Sequence, residues 1–377
     1  MEGYFDHAAT TPLHPESLAE MNRLAETTFG NPSSIHGYGR KAAMELELAR
    51  DVLATSLGVK SHEIIFTSGG TEGDNTALIG VAMSRKDLGR HIITTAIEHP
   101  AVLEPMHYLE SQGFEVTYLP VNEQGQLSLS DLEAALRKDT ILVSVMYANN
   151  ETGNLLPIAE IGALLKEHQA VFHTDAVQAY GKVTISPKEL GIDLLSASAH
   201  KFNGPKGVGF LYKSDQVSLP AYLRGGEQEE KRRAGTENLP GIGGMAKAAS
   251  LLTADAMVEN GNRYRHFAKI LTEALDGAGV NWQLNGDPVN KLPHVLNLRF
   301  PGVSNDLLLM KLDLKQLAIS TGAACTAGNV EPSHVLEAMY GSKSTATKES
   351  IRVSFGFGNT AEQVQFLADS LIAILQK

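Results

Sequence analysis

Lys201 sits in Leu194-Leu195-Ser196-Ala197-Ser198-Ala199-His200-Lys201-Phe202-Asn203-Gly204-Pro205-Lys206-Gly207-Val208-Gly209-Phe210-Leu211-Tyr212. An apolar, small-residue run delivers one lysine into a Gly/Pro-rich turn, and a second apolar run leaves it, so two buried strands are expected to flank the turn. Burial there disfavours the ammonium and lowers its pKa, which is what an amine that condenses with a carbonyl needs. Upstream, Ala170-Val171-Phe172-His173-Thr174-Asp175 reads as another buried strand, ending in a carboxylate. A carbonyl-condensing lysine and a strand-end acid are the pair that pyridoxal phosphate (PLP) uses, the amine as anchor and the acid on the ring nitrogen. A carboxylate about 4 Å from that nitrogen contributes roughly 4 kcal/mol at an effective dielectric near 20, or about three pKa units, enough to keep the ring charged at neutral pH.

Three other stretches could do chemistry. Ser68-Gly69-Gly70-Thr71-Glu72-Gly73 follows a strand and opens a helix, so its amides and the helix N-terminus can cradle a phosphate. It is neither a Walker motif nor a Rossmann fingerprint, since both spacings are absent. Ser320-Thr321-Gly322-Ala323-Ala324-Cys325-Thr326-Ala327-Gly328-Asn329 has too many small residues to pack firmly, so the cysteine within it is expected to be mobile and accessible. In Ile351-Arg352-Val353-Ser354-Phe355 the alternation turns Arg352 away from its apolar neighbours, as a guanidinium clamp for a carboxylate would be.

The elements that must position these residues alternate. Strands are expected at Glu63–Thr67, His91–Ala96, Glu115–Leu119 and Ile141–Met146, with helices at Asn75–Ser84, Ala101–Gln112, Leu129–Leu136 and Ile158–His168. Such alternation predicts an α/β fold with a mainly parallel sheet, helices on both faces, and ligands beyond the strand carboxyl ends. His99, Asn149, Asn150, Asp175 and Gln178 fall at such ends. Helices at Pro15–Thr27 and Lys41–Leu57 bracket a polar loop, Phe29–Arg40. The charge run Leu223–Thr236 reads as a solvated face. Helices Leu239–Met257 and Asn262–Ala278 lead into a second region with the strand Val295–Phe300 and the helix Asn305–Leu312, and Gly341–Lys348 reads as an exposed loop.

The chain has 377 residues, 43% apolar and 20% charged, which describes an ordinary globular enzyme of about two domains. A net charge of −11 argues against direct nucleic-acid binding, because phosphate contacts need clustered Lys and Arg. No basic and apolar leader opens the chain and no uninterrupted apolar run spans a bilayer, so no membrane partner and a cytoplasmic location are expected. Cys325 is the only cysteine, which excludes an intramolecular disulfide and fits a reducing compartment.

Together these motifs resemble the NifS/IscS-type cysteine desulfurases, class V aminotransferase relatives of PLP fold type I. The resemblance runs from Tyr4-Phe5-Asp6-His7-Ala8-Ala9-Thr10-Thr11-Pro12 to Arg352-Val353-Ser354-Phe355-Gly356. Its most specific parts are His173–Gln178, Ser198–Lys201, Arg233–Asn238 and Ala324–Thr326. It implies a large PLP-binding domain, 14–252, and a smaller α+β domain, 1–13 and 253–377, carrying a mobile cysteine loop at about 320–345. Lys201 is similar to the anchoring lysine, Asp175 to the ring-nitrogen partner, His99 to the residue stacked on the ring, and Gln178 to the contact on its hydroxyl. Gly70, Thr71, Ser198 and His200 match phosphate contacts, and Thr236 one supplied across a homodimer interface. Asn150, also near the cofactor, and Arg352 match substrate-carboxylate contacts, with Asn31 beside them. Cys325 stands at the sulfur-accepting nucleophile, with His99 as the first candidate for activating it and Lys201 as the base for the Cα proton. No metal is required for catalysis, though Cys325 is a candidate transient iron–sulfur ligand.

The implied reaction turns L-cysteine into L-alanine and passes sulfur from Cys325 to an acceptor, an iron–sulfur scaffold or a tRNA-thiolating enzyme. A selenocysteine lyase or other PLP β-lyase, and a catalytically idle assembly scaffold, stay open as alternatives. Two departures touch partner binding more than catalysis: His7 where asparagine is frequent, and Phe357-Gly358-Asn359-Thr360 without a basic residue.

Overall fold

The structure, a computed structural model, describes residues 1–322 and 332–376, with the backbone of one antiparallel pair, Cys325–Thr326 and Asn329–Val330, between them. After a short strand β1 (Gly3–Tyr4) come the helices α1 (Pro15–Thr27) and α2 (Gly37–Leu57). Seven strands follow: β2 (Ile64–Thr67), β3 (His91–Thr95), β4 (Glu115–Leu119), β5 (Thr140–Ser144), β6 (Val171–Asp175), β7 (Leu194–Ser198) and β8 (Gly209–Lys213). They form one sheet in the order β2-β8-β7-β6-β5-β3-β4, in which β8 runs against both its neighbours and the remaining pairings are parallel.

Side chains alternate across this sheet, and both faces are apolar, as a sheet covered on both sides requires. Ile64, Phe66, Ile93, Val143, Phe172, Leu195 and Phe210 point into one core, which α2 and the helix Leu239–Ser250 cover. Ile65, Ile92, Leu142, Val171, Leu194 and Leu211 point into the other, against α3 (Gly70–Arg85) and α4 (Pro100–Ser111). A separate core gathers Phe5, Tyr264, Phe267, Leu298, Ile351 and Leu367. It lies around the antiparallel strands β9 (Gln283–Asn285), β10 (Val295–Arg299) and Ser350–Ser354, with the helices Ala254–Gly277 and Ala361–Leu375.

Several local expectations give way to tertiary context. Helix α3 starts at Gly70 rather than Asn75, because Gly69 at φ 153° turns the chain straight out of β2 into the first helical turn. The helix expected to run to Met257 stops at Ser250, and the next begins at Ala254, where the Thr253 hydroxyl caps the Ala256 amide at 3.2 Å. Helix α2 begins at Gly37, capped by His36, four residues before the expected start. The cysteine loop expected to reach about 345 contains the helix His334–Tyr340, held by burial of Val335, Leu336 and Met339 in the large core. Within the expected loop Gly341–Lys348, residues from Ala346 form a short helix to Glu349.

The charge run is not simply a solvated face. Glu229 is buried and accepts two bonds from the Arg50 guanidinium, at 2.6 and 2.7 Å, and one from the Phe66 amide at 3.0 Å. Arg50 also lies over the Phe66 ring. A carboxylate this buried needs such a charged, planar partner. Around it Glu229, Glu230 and Lys231 all take positive φ, which the pair over-determines.

Candidate active site

Chain direction brings the carboxyl ends of β2, β3, β5, β6 and β7 to one edge, joined by the start of β8, and the expected functional residues gather there. Asp175 ends β6 and Ser198 ends β7, and Asp175 pairs with Ser196 across the ladder. One further turn, Ala199–Lys201, carries Lys201 to that edge. Its Nζ donates to the carbonyls of Ala8 at 2.6 Å and Ala9 at 2.8 Å, and Gln178 Nε2 donates to the same Ala8 carbonyl at 3.0 Å. Burial, reinforced by the Arg352 charge, lowers the Lys201 ammonium to about 8 despite Asp175 and Asp6 nearby. Asp175 is pushed up to about 6 by burial and by the neighbouring Asp74, although the Val177 amide donates to its Oδ1 at 2.8 Å.

His99 caps α4, its Nδ1 accepting from the Ala101 amide at 3.1 Å. Burial lowers its pKa against the opposing pull of Asp175. The neutral ring therefore carries its proton on Nε2 and presents a donor there. The Gly69–Gly70 turn forms an anion seat: the first intrahelical bond of α3 runs from Gly73 N to Gly69 O at 3.2 Å, so the Gly70, Thr71 and Glu72 amides have no partner in the helix, while the Ser68 amide donates to Glu72 Oε2 at 2.8 Å. A Cβ on Gly70 would fall 2.6 Å from Val177 Cγ2, so only glycine lets the backbone sit this close to the turn after β6. His200 Nδ1 lies 3.1 Å from Thr10 Oγ1, and burial lowers its pKa to about 4.

Arg352 is buried and already holds a carboxylate, that of Asp6 at 2.8 Å, while its other terminal nitrogen donates to the Asn150 carbonyl at 2.9 Å. Its Nε and the Asn150 Oδ1 are buried without partners among the described residues. Thr71 opens α3 in an exposed position. Asn31 and Thr236 are exposed too, Asn31 turned to the Ser33 amide at 2.9 Å. No hydrogen bond among the described residues joins either to Lys201 or Arg352. The Cys325 side chain lies outside the described residues.

Sequence reasoning missed the layer beneath these groups. Asp6 and the Ala8 carbonyl come from the opening segment, at separations of 346 and 193 residues from the side chains they hold. Asp74, on α3, lies 3.3 Å from His173 Nε2, and His173 Nδ1 is 2.9 Å from Ser144 Oγ. Glu98 accepts from Met146 N at 2.9 Å and Thr95 Oγ1 at 2.8 Å, leaving Oε2 without a partner among the described residues. Desolvation raises Asp74 to about 7 and Glu98 to about 8. Asp175 is thus the acid of this layer that ionises first. Their settings hide them in the sequence: Asp74 stands in the polar first turns of α3 and Glu98 in the turn between β3 and α4.

Because the folded Asp74 holds its proton where an unfolded aspartate has lost it, its contribution to stability is present at low pH and declines as pH rises from about 4 to 7. Asp74→Asn keeps the shape without the ionisation. The variant should match the wild type in urea midpoint near pH 4 and gain on it up to pH 7, by on the order of 4 kcal/mol, then stay level. A constant difference across that range would show that Asp74 does not titrate as its burial demands.

The aminotransferase class-V family pattern matches residues 3–367. The chain is 54% identical to a Bacillus subtilis (strain 168) protein carrying the name IscS 1, covering 99% of this chain and 98% of that one. It is 46% identical to the protein named cysteine desulfurase IscS of Dictyoglomus turgidum (strain DSM 6724 / Z-1310), with 100% and 95% covered. Among solved structures, one titled NifS-like protein superposes with a TM-score of 0.93 at 36% identity and complete coverage of both chains. Another, titled SspA in complex with cysteine, gives 0.83 at 36% identity over 94% of this chain and 98% of that one.

Proposed function

The chain belongs to the aminotransferase class-V family and is a cysteine desulfurase, and from that premise we propose that Lys201, Asp175 and the Gly69–Gly70 turn hold PLP while Cys325 receives the substrate sulfur. One observation supports this above the others: a buried amine lowered to about 8 shares one sheet edge with a buried carboxylate and an anion seat. These are the groups PLP calls for. Amine, acid and helix N-terminus answer its carbonyl, ring nitrogen and phosphate. Ser198, His200 and Thr71 complete the phosphate seat, Gln178 meets the ring hydroxyl, His99 covers the ring, and Asn150 lies beside it. When bound, PLP supplies the electron sink that makes a substrate Cα proton acidic.

The chain's own residues do the rest. With its pKa near 8, roughly a tenth of Lys201 is neutral at pH 7, an amine able to take the Cα proton. The Cys325 thiolate then attacks the substrate sulfur; the carbon–sulfur bond breaks and its electron pair stays on the carbon, which gains a proton. L-cysteine and the thiol become L-alanine and a persulfide, with atoms and charge in balance. Because the His99 Nδ1 lone pair is occupied, this ring serves as a hydrogen-bond donor from Nε2 that stabilises the thiolate, rather than as the base that ionises Cys325. Adding L-cysteine should give alanine matched by one added sulfur on Cys325, measured together by amino-acid analysis and mass spectrometry. Alanine without sulfur on that residue would refute the transfer.

Arg352 and Asn150, with Asn31 in the loop before α2, bind the substrate carboxylate in this reading. Asp6 holds the guanidinium in position beforehand. Arg352→Lys loses the planar fork, so KM for cysteine should rise about 10- to 100-fold with the cofactor absorbance unchanged. An unchanged KM in steady-state kinetics would remove Arg352 from the substrate site.

Residues 14–252 act as the PLP-binding domain, and 1–13 with 253–377 as the small domain that carries Cys325. The working form is a homodimer. Phe29, Ile35 and Tyr38 are 73%, 92% and 63% exposed around the loop before α2, an apolar surface that a second copy would cover. Thr236, exposed here, then reaches the partner's phosphate seat. Light scattering should give twice the chain mass for the active enzyme; a monomer of full activity would overturn this. An acceptor protein serving iron–sulfur assembly or tRNA thiolation takes the persulfide sulfur. No helix among the described residues is long and apolar enough to cross a membrane. The cytoplasm suits a lone thiol that must stay free.

A further inference from the structure

A cavity of about 130 Å³ lies away from the catalytic edge, between the two cores, with room for about four waters. Lys182, Phe202 and Leu252 line it from the large core's side, His294 and Arg263 from the other, and His14 also lines it. Four of these are basic, and among the described residues no Asp or Glu lines the cavity. His294 is 3% exposed, and its Nδ1 has no partner among the described residues. Its pKa falls well below the ordinary value, first through burial and then through the charges of Lys182, His7 and Lys291. Lys182 is lowered to about 8 by burial, with no carboxylate opposing the shift. His7, buried with both ring nitrogens unpartnered among the described residues, is itself lowered to about 4 by burial and by the Lys182 charge.

Of these groups Lys182 is decisive: a half-buried ammonium is stabilised by a counter-charge, and no carboxylate among the described residues lines the cavity to supply one. The missing partner is negative. Besides Asn203, Asn260 and Tyr264 the remaining lining is apolar, with Phe202, Leu251, Leu252, Met257 and Phe357, so a bare inorganic ion would satisfy the basic groups and leave these side chains facing nothing. We propose that this cavity is a binding site for a compact organic anion, an acid group on an apolar body, held by Lys182 and His294 across the seam between the two cores. The turn that carries Lys182 is built for this approach: Gly181 has φ 75°, and a Cβ there would fall 2.5 Å from Leu252 Cδ1. Lys182 follows Gln178 by four residues and Phe202 follows Lys201 directly, so an occupant would brace both arms of the catalytic edge from behind.

The site is independent of the desulfurase reading, and its test uses the PLP-loaded enzyme, in which the phosphate seat is filled. Benzoate should bind with one equivalent by calorimetry, at least ten-fold more tightly than inorganic phosphate. Lys182→Met should weaken benzoate ten-fold or more. Arg263→Ala, on the exposed rim, should weaken it about three-fold and serves if the lysine variant does not fold. Crystals soaked in 4-bromobenzoate should show anomalous bromine density in this cavity. Phosphate binding as tightly as benzoate, binding unchanged in both variants, binding lost in Arg352→Lys, or bromine only elsewhere would each overturn the proposal.

Discussion

Cys325→Ser should bind cofactor and L-cysteine as the wild type does, yet release alanine at least about 1,000-fold more slowly in a single turnover. The separation follows from where the groups lie. Lys201, Asp175, Gln178 and the Gly69–Gly70 turn are positioned by β6, β7, α3 and the opening segment, through hydrogen bonds to the Ala8 and Ala9 carbonyls and the Val177 amide. Sulfur transfer rests on one atom, since the chain has no second cysteine to take over. A serine hydroxyl is neither ionised near neutral pH nor soft enough to attack sulfur. Cofactor absorbance before and after adding cysteine reads binding; quenched alanine analysis reads transfer. Near-normal alanine release would mean that carbon–sulfur cleavage proceeds as a simple lyase reaction and that Cys325 serves something else.

Lys201→Ala should abolish turnover, by about four orders of magnitude or more, and should leave the cofactor easily removed by gel filtration. Lys206, five residues on, is the local rival, but it is exposed on the turn while Lys201 Nζ is tied to two carbonyls of the opening segment. The substitution should not unfold the protein. A lysine lowered from 10.5 to about 8 costs stability when charged: as pH falls from about 10.5 to 8 the folded form gains less from protonation than the unfolded chain does, and the full penalty remains below 8. Removing the charge should therefore raise the urea midpoint of the cofactor-free protein at pH 7, by up to about 3 kcal/mol less the lost packing of the side-chain stem. A cofactor mass still attached through Lys206 after borohydride treatment, or retained activity, would show that the anchor lies elsewhere.

What the sequence by itself determined was local. The apolar runs mark β3, β6, β7 and β8 because nearly every residue of each is buried, whereas β4, at the sheet edge, shows as a half-exposed run of alternating residues. The Gly-Gly turn before α3, Asp175 at a strand end and Lys201 in its turn are legible for the same reason. A residue type that would be costly in the wrong place stands next to the element that justifies it. The lone cysteine and the acidic net charge likewise needed no coordinates.

Tertiary structure alone decided which distant groups meet. The Ala8 and Ala9 carbonyls on Lys201 and the Asp6 carboxylate on Arg352 come from a short extended segment that crosses from the small core to the sheet edge, and nothing in its own pattern names its partners. Glu229 looked like one more charge in a solvated run until α2 put Arg50 against it. Asp74, Glu98 and His173 owe their displaced pKa values to the depth at which α3 and the sheet bury them. Periodicity tells which face of an element is apolar; the free energy of a buried charge depends on what the rest of the chain brings to within about 4 Å of it, and only the folded arrangement contains that distance.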